Sequence, residues 1–212
     1  MSDFLKVLNE RTSAEHFDSA TPISVQEIKD LISEACQAPS AFNIQHWRFI
    51  AVTDERIKRE TEGLKATTIA PNQERVANAP LIFLILGDLN GHKRLKGILD
   101  ESVHAGLLPR EVAEIWLTMA NGMYNSDSRL ARDEAIRSGS LAAMTLMLAA
   151  ENRGYVSCPI GFNPVQVMEI LSISDHYVPV MMLTVGRPAS GNNARRPRLS
   201  VDQVLEFNSS LE

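Results

Sequence analysis

Three polar side chains stand close together in the segment from Ala38 to Arg48. Ser40, Asn43 and Gln45 place a hydroxyl and two amides within six positions, and these groups both donate and accept hydrogen bonds. Pro39 fixes its own φ and disfavours helical backbone for the residue before it, so we expect a loop here. Such a set suits a flat heterocycle whose edge alternates donors and acceptors. The alternative is a helix-ending loop whose side chains bond the local backbone.

Further motifs follow one another in a fixed order along the chain. They are Arg11-Thr12-Ser13, the loop just described, Asn72 to Arg75, Cys158-Pro159-Ile160-Gly161-Phe162 and Arg195-Arg196-Pro197-Arg198. In this order they resemble the nitroreductase family, the FMN enzymes that reduce nitroaromatics, quinones and related electrophiles with NAD(P)H. The resemblance spans about Leu5 to Phe207, and its Pro-Ser-x-x-Asn-x-Gln-x-Trp loop is more specific than its N-terminal Arg-x-Ser.

The resemblance implies a fold, an assembly and a cofactor. The fold would be α+β, with a mixed, mostly antiparallel central sheet sandwiched by helices, in an intertwined homodimer. FMN would lie at the subunit interface, and NADPH or NADH would dock against it as co-substrate. The implied activity is ping-pong hydride transfer from the nicotinamide to the flavin and then to a small-molecule acceptor. No residue is identified as a dedicated acid or nucleophile, because FMN would carry the chemistry.

By this resemblance, a set of residues spread along the chain would contact FMN. They are Arg11, Thr12, Ser13, Pro39, Ser40, Asn43, Gln45, Asn72, Arg75, Pro159, Ile160, Gly161, Arg196 and Arg198. Among them, Arg11, Ser13, Arg196 and Arg198 match the family positions that hold the phosphate, for which paired guanidinium groups are strong ligands. The alternative for Arg196 and Arg198 is a solvated tail whose charges lie in water.

The remaining matches concern the flavin ring. Ser40, Asn43, Gln45 and Asn72 match its edge. Gly161 matches the family's backbone donor near flavin N5, because a residue without Cβ lets the main chain approach a flat ring. The family often has Gly-Gly or Glu-Gly at this step, whereas this chain has Ile160-Gly161. Which backbone amide meets N5 is therefore left open.

The charge near the ring also departs from the family pattern. Arg75 matches a position that is usually basic, where a cation near O2 would stabilise the anionic reduced ring. Glu15 stands where many relatives carry Lys or Arg. We expect Glu15 to turn outward as an ordinary acid at a helix start. The alternative is that it makes the ring environment less electropositive and lowers the reduction potential.

Aromatic residues are candidates for the walls of the acceptor pocket. Phe42 and Tyr124 are predicted to line it, and Trp116 is a further candidate. The alternative for all three is core packing, which is the usual role of buried aromatic side chains. Packing is favoured more for Trp116 than for Phe42.

Composition argues against several classes of protein. A net charge of −5 and the lack of a basic stripe argue against nucleic-acid binding. No window approaches the roughly 20 apolar residues of a membrane span, and residues 1–11 lack a signal-like apolar run, so we expect a cytoplasmic protein. The two cysteines and five histidines show no metal-ligand spacing, so no metal is expected.

Periodicity predicts the elements that must position these residues. A short helix at residues 4–8 is followed by one that Ser24 and Glu27 open as a capping box and that ends at Pro39. Predicted strands cover Arg48 to Thr53, Pro80 to Leu86 and Val178 to Val185, and the second of these is apolar throughout, as in a strand covered on both faces. Irregular alternation of strands and helices favours an α+β fold, and the glycine-rich dinucleotide fingerprint is absent, with Gly186 alone after a strand.

The rest of the chain is predicted to be mainly helical. Residues 88–133 form short helical pieces, such as Arg110 to Thr118, within a lid or an excursion from a single domain of residues 1–212. A helix from Glu134 to Arg153 is apolar all round and is therefore buried in the core or against a partner subunit. Short helices follow at Val165 to Leu171 and behind a capping pair of Ser200 and Gln203.

The leading hypothesis is an FMN-dependent oxidoreductase that uses NAD(P)H to reduce nitroaromatics, quinones or similar electrophiles. One alternative is a relative of the same fold specialised as an enone or semialdehyde reductase or for desaturation. Another is a flavin-binding protein without useful turnover, as Glu15 and the single glycine at Gly161 would allow. The physiological acceptor and the choice between NADH and NADPH are not predicted.

Overall fold

A five-stranded antiparallel sheet forms the centre of the computed structural model, which describes residues 3–59 and 63–207. Its strands are β1 (Phe17–Asp18), β2 (Trp47–Val52), β3 (Leu81–Asp88), β4 (Val156–Ile160) and β5 (Tyr177–Pro188). Strand β5 pairs with β3 on one side and with β4 on the other, while β1 pairs with the end of β5. Strand β2 pairs with β3, so β2 and β4 lie at opposite edges of the sheet.

Eight α-helices lie within the described ranges. They are α1 (Asp3–Glu10), α2 (Val25–Ala35), α3 (Glu55–Arg59), α4 (Ala70–Asn78), α5 (Leu95–His104), α6 (Arg110–Ser126), α7 (Ser128–Asn152) and α8 (Pro164–Ile170). The predicted capping box of Ser24 and Glu27 opens α2, and that of Ser200 and Gln203 opens a 3-10 turn. Among these helices, none has the length and apolar character needed to span a bilayer.

Strand β3 shows why the sheet is central. All eight of its residues are buried, and alternate side chains enter two different apolar clusters. Ile82 and Leu84 enter one cluster, and Leu81 and Phe83 the other. Each such side chain contributes about 1.5–3 kcal/mol when it leaves water. The predicted strand with both faces covered is confirmed.

Helices cover both faces of the sheet. On one face, Leu31 of α2 and Leu146 of α7 pack in the cluster that contains Phe83. On the other face, Val76 of α4 and Val167 of α8 pack in the cluster that contains Ile82. The predicted sheet sandwiched by helices is therefore confirmed.

Helix α7 is longer than its predicted range. It begins at Ser128, because the Asp127 carboxylate accepts hydrogen bonds from the backbone N–H groups of Arg129 and Leu130. It packs against β3 and β5, which explains its apolar faces. Leu141 nevertheless keeps 42% of its surface exposed, so part of the apolar face is not covered within this chain.

Residues 88–133 form a helical region with an apolar cluster of its own. Leu95 of α5 and Tyr124 of α6 pack there against Ile44 from the loop before β2. The expectation of short helical pieces is wrong for α6, which runs unbroken for 17 residues through Gly122. A helix-interior glycine costs only about 1 kcal/mol, which the packing of α6 offsets. The role of this region as a lid stays a prediction.

Two features of strands β4 and β5 were not predicted from the sequence. Strand β4 contains Pro159, which argues against a central strand. Among the five strands, however, β4 pairs only with β5, and its other ladder contact is the isolated bridge from Ser157 to Ser13, so a proline is tolerated at this edge. Gly186 lies inside β5 and not after it. A Cβ at Gly186 would stand 2.7 Å from Cδ of Pro80, so close packing requires glycine there.

Candidate functional site

The first group of predicted site residues surrounds a cavity of about 300 Å³, called the arginine cavity below. It is lined by Thr12, Ser13, Glu15, Arg75, Cys158, Pro159, Asn193, Ala194, Arg195, Arg196 and Arg198. Four segments of the chain therefore meet here: the stretch after α1, helix α4, strand β4 and the segment after β5. Ser13 forms a parallel bridge with Ser157, and Ala14 N donates to Ser157 O at 3.0 Å. These contacts hold the N-terminal segment against β4.

Two residues that were not predicted pin the C-terminal segment in place. Asn192 Oδ1 accepts from Glu15 N at 2.7 Å and from His16 N at 3.0 Å, while its Nδ2 donates to His16 O at 2.9 Å. Arg195 Nη1 donates to the carbonyls of Leu8 and Asn9 at 2.6 and 2.9 Å. Arg195 thus caps the C-terminal end of α1. Its place in the basic cluster was the only sequence signal for this contact.

Positive charge accumulates around the arginine cavity. Burial lowers the pKa of Arg11, and the nearby charges of Arg195 and Arg198 lower it further, against an opposing effect of Glu151. Arg198 Nη1 donates to the backbone carbonyls of Arg196 and Pro197, and both arginines are exposed. Crowded guanidinium groups disfavour one another, so an anion bound among them would relieve their repulsion.

Glu15 lies inside the cavity, which corrects the expectation that it turns outward from a helix start. Helix α1 ends at Glu10, and Glu15 belongs to the segment between α1 and β1. Its Oε1 lies 2.8 Å from Nη2 of Arg75, and the two side chains are 29% and 21% exposed. Arg75 Nη1 also donates to Asn72 Oδ1 at 2.7 Å. A partly buried guanidinium needs a counter-charge, and Glu15 supplies it.

The second group is the polar loop, Ser40 to Gln45, between α2 and β2. Phe42, Asn43 and Gln45 have φ values of 52°, 56° and 56°, so three non-glycine residues adopt left-handed backbone. Ser40 Oγ accepts from Gln45 N at 2.9 Å, so the local bonding considered as an alternative exists for Ser40. Such backbone costs about 1–3 kcal/mol per residue, and strain of this kind clusters at ligand sites. Pro39 and Asn43 are exposed.

A buried histidine, His46, anchors the end of the polar loop to helix α7. His46 is 2% exposed, and its Nδ1 lies 3.3 Å from Ser138 Oγ of α7. Burial, followed by the charge of Arg94, lowers the pKa of His46 to about 4, against the opposing effect of Asp88. His46 is therefore neutral near pH 7. Sequence reasoning considered this residue only as a metal ligand and missed its structural role.

The predicted acceptor walls meet at the polar loop. Phe42 is half-buried and packs edge-on against Trp116 and Tyr124, with ring centroids 6.0 and 6.4 Å apart. Tyr124 is 5% exposed, and burial raises its pKa. Tyr124 is thus part of the apolar cluster, whereas Phe42 keeps partial access to solvent. Their contact with an acceptor stays a prediction.

A shallow shelf adjoins the arginine cavity at the end of β4. It belongs to a second cavity, of about 410 Å³, lined by Pro159, Ile160, Gly161, Phe162, Pro164, Pro179, Val180 and Met181. A Cβ added at Gly161 would meet no atom within 4 Å. Nothing within the described chain therefore requires glycine there, and its main chain is open to a flat group.

The two groups of site residues lie apart in this chain. As far as the described residues go, the lining of the arginine cavity includes none of Ser40 to Gln45. Strand β2, which follows the polar loop, is three strand positions from β4, or roughly 14 Å at ordinary strand spacing. Asn72 accepts a hydrogen bond from Arg75 and so lies with the arginine cavity. Gln45 lines a groove along β2 and so stays with the polar loop.

Comparisons with known proteins agree on one family. The family model described as "Nitroreductase family" matches residues 8–187. The Bacillus subtilis protein named "Putative NAD(P)H nitroreductase YodC" is 36% identical over 197 residues, 91% of this chain and 95% of that protein. A crystal structure described as "a putative nitroreductase in complex with FMN", from Exiguobacterium sibiricum, has 31% identity, a TM-score of 0.83 and 98% coverage of both chains. The "CLA biosynthesis enone reductase" of Lactiplantibacillus plantarum is 27% identical over 191 residues, 89% of this chain and 87% of that protein.

Proposed function

Because the chain belongs to the nitroreductase family, we propose that it is an FMN-dependent oxidoreductase that uses NAD(P)H to reduce small electrophiles such as nitroaromatics or quinones. One observation carries this proposal beyond the family: a cavity crowded with arginines adjoins an open stretch of main chain at Gly161. An anionic group and a flat ring held side by side are the two parts of a flavin mononucleotide.

The donor set of the arginine cavity fits a phosphate ester. Thr12 and Ser13 supply hydroxyl groups, and Arg196 and Arg198 supply guanidinium groups for charge-assisted bonds. Burial and then the like charges of Arg195 and Arg198 lower the pKa of Arg11, and a bound dianion would offset those charges. Bound FMN would supply the two-electron chemistry. The protein would hold the phosphate, orient the ring and place charge beside it.

The shelf at Gly161 fits the ring. The absence of a side chain leaves the backbone amide accessible, and the exposed Pro159 offers apolar surface near it. Arg75 would place its charge beside the ring from the arginine cavity. These side chains hold and orient, so no side chain of this chain is assigned as acid or nucleophile.

We further propose a homodimer in which the polar loop of one copy completes the arginine cavity of the other. The distance between the two groups within one chain supports this arrangement. So do apolar side chains on the C-terminal segment that this chain leaves exposed. They are Leu199, Val201, Val204, Leu205 and Phe207. A second copy would cover such a surface, which is costly to leave in water.

Domain organisation and location follow from the same proposal. Residues 1–212 would form one domain, with residues 88–133 as an excursion that supports the acceptor pocket through Tyr124. The edge-on contact of Tyr124 with Phe42 of the polar loop supports this role. We place the protein in the cytoplasm, where NAD(P)H is available as reductant.

Colour and anaerobic reduction test the proposed activity. Purified protein should be yellow, bleach when NADPH or NADH is added without oxygen, and regain colour with a quinone or a nitroaromatic. A yellow protein that neither nicotinamide bleaches would be a flavin carrier and would contradict the enzyme. A colourless protein that does not take up added FMN would contradict the whole proposal.

An enone is the second candidate acceptor. The identity of 27% to an enone reductase along 89% of this chain favours it. The reoxidation panel should therefore contain a conjugated enone beside the quinone and the nitroaromatic. Faster reoxidation by the enone than by both others would move the chain to this second function.

Subunit mixing tests the shared site. In a mixed dimer of Arg198→Ala and Asn43→Ala subunits, one shared site carries both changes and the other carries neither. Half of the FMN should then bind with wild-type affinity, although both parent homodimers bind weakly. If each site came from one chain, no site in the mixed dimer would have wild-type affinity. A flavin-loaded monomer in light scattering would also contradict the dimer.

A further inference from the structure

The arginine cavity carries one carboxylate among its lining side chains in the described part of the chain, and that carboxylate is Glu15. Its partner is Arg75, at 2.8 Å. Arg195, by contrast, is engaged with backbone carbonyls of α1. Arg75 is thus the cavity-lining arginine whose charge an acid of the same cavity offsets.

The position of this ion pair is set by several elements at once. The backbone N–H of Glu15 is held by Asn192, and the preceding residue, Ala14, is held by Ser157 of β4. Arg75 is held by Asn72, one turn away on α4. Both partners are mostly buried, so solvent screens their attraction less than that of a surface pair. The ion pair between Glu15 and Arg75 is therefore held in place by the surrounding structure and is not a chance surface contact.

The two charges act in opposite directions on a neighbouring group. Burial raises the pKa of the Cys158 thiol, Arg75 lowers it and Glu15 raises it. Cys158 lies in β4, directly before Pro159, the first residue of the shelf. At this end of β4 the field of Arg75 is therefore opposed by that of Glu15.

We infer that Glu15 is a positioning residue that holds Arg75 in an internal ion pair and so makes the site nearly neutral beside the flavin ring. This inference rests on the proposed function, because it requires FMN in the arginine cavity. Reduced flavin carries a negative charge that oxidised flavin lacks, and a cation favours the reduced form. Glu15 weakens this preference and keeps the reduction potential low.

A series of variants that differ in the net charge of the ion pair tests the inference. Glu15→Gln leaves a charge of +1, Arg75→Gln leaves −1, and the double variant leaves none. Glu74→Gln is the matched control, because Glu74 is an exposed acid on the same helix as Arg75, with Lys65 at 3.8 Å. The midpoint potential of bound FMN is measured by spectroelectrochemical titration in all five proteins, wild type included.

The expected order of potentials follows the charges. Glu15→Gln should bind reduced FMN about tenfold more tightly relative to oxidised FMN, which raises the potential by about 30 mV for a two-electron couple. Arg75→Gln should shift it by a similar amount in the opposite direction. The double variant should return close to wild type, and Glu74→Gln should not differ from wild type.

The possible failures are distinguishable. If FMN stays bound in Glu15→Gln and the potential does not rise, Glu15 is structural and the inference is overturned, while the proposed function stands. If the wild-type protein binds no FMN, both the proposed function and the inference that rests on it are contradicted. If Glu15→Gln does not fold, the difference between Arg75→Gln and the double variant measures the same carboxylate, and equal potentials there would overturn the inference.

Discussion

The arginine cavity and the polar loop are two halves of a proposed site that are built by opposite means. The cavity gathers side chains from segments at both ends of the chain, and hydrogen bonds from Asn192 and Arg195 hold those segments together. The polar loop consists of six consecutive residues, three of which, Phe42, Asn43 and Gln45, have left-handed backbone. One half is assembled by long-range contacts and carries charge, and the other is local and mostly uncharged.

This difference indicates which substitutions and conditions should disrupt each half. Charge recognition in the cavity depends on individual guanidinium groups, several of which are exposed, so single substitutions should act on the ligand more than on the fold. The polar loop depends on what lies beneath it, because strained backbone persists only when its surroundings impose it. Buried Ile44 and His46 provide that support. Acid and substitutions should therefore affect the two halves differently.

Acid should weaken the support of the loop, and this is the largest effect we expect. The pKa of His46 is about 4 in the folded protein, against 6.5 for an unperturbed histidine. Between these values the unfolded chain binds a proton that the folded chain does not. Stability is therefore fully present above pH 6.5 and falls as the pH drops to 4, with a slope of up to about 1.4 kcal/mol per pH unit.

Urea unfolding at several pH values measures this slope. His46→Gln, which has no ring to protonate, is the matched variant and should lose that part of the pH dependence. An equal slope for both proteins between pH 6.5 and 4 would show that other groups cause it and that His46 titrates normally.

Removal of one guanidinium from the cavity should come next. Arg198→Ala should weaken FMN binding by about 1.5 to 3 kcal/mol, the range for hydrogen bonds to charged groups. Riboflavin lacks the phosphate, so its affinity should not change. Fluorescence titration with both flavins measures this. Unchanged FMN affinity would return Arg198 to a solvated tail, and an equal loss for riboflavin would move it from the phosphate to the ring.

A change in the polar loop should give the opposite pattern with a smaller effect. Asn43→Gly keeps the left-handed backbone, since glycine adopts φ of 56° without strain, but removes the amide. We expect FMN and riboflavin to lose the same 0.5 to 1.5 kcal/mol, about the net value of one neutral hydrogen bond. A loss for FMN alone would assign Asn43 to the phosphate and break the division between the halves.

The smallest effect concerns Arg195, whose hydrogen bonds hold the C-terminal segment against α1. Arg195→Ala removes a cation from the C-terminal end of α1 and should lower stability by roughly 0.3–1 kcal/mol. FMN affinity should fall less than in Arg198→Ala, because Arg195 is occupied by backbone carbonyls. Thermal unfolding of the apoprotein and FMN titration give the two values. A larger loss of FMN affinity than in Arg198→Ala would reverse the roles of the two arginines.

Local signals predicted much of the fold. The apolar run of β3 predicted a covered strand, and Ser24 with Glu27 predicted the start of α2, because both depend on a few neighbouring residues. The strand that contains Pro159 was missed because its tolerance for proline depends on lying at an edge, which is a property of the whole sheet. The full length of α6 was missed because tertiary packing outweighs a glycine in its middle.

The candidate site divides in the same way. The residue types at Arg11, Ser40 and Gly161 predicted phosphate, ring-edge and backbone contacts through their resemblance to one family. The direction of Glu15 was predicted wrongly, because the partner that turns it inward, Arg75, lies 60 positions away in the chain.

The sequence by itself determined many of the helices and strands, the family and the chemical character of the site, because periodicity and motifs depend on residues that are close together in the chain. The tertiary structure alone decided which of these residues meet. It brought residues 12–15 and 193–198 together at β4, paired Glu15 with Arg75, and left the polar loop across the sheet from the arginines. Such contacts depend on the order and register of strands, which are set by the packing of the whole chain.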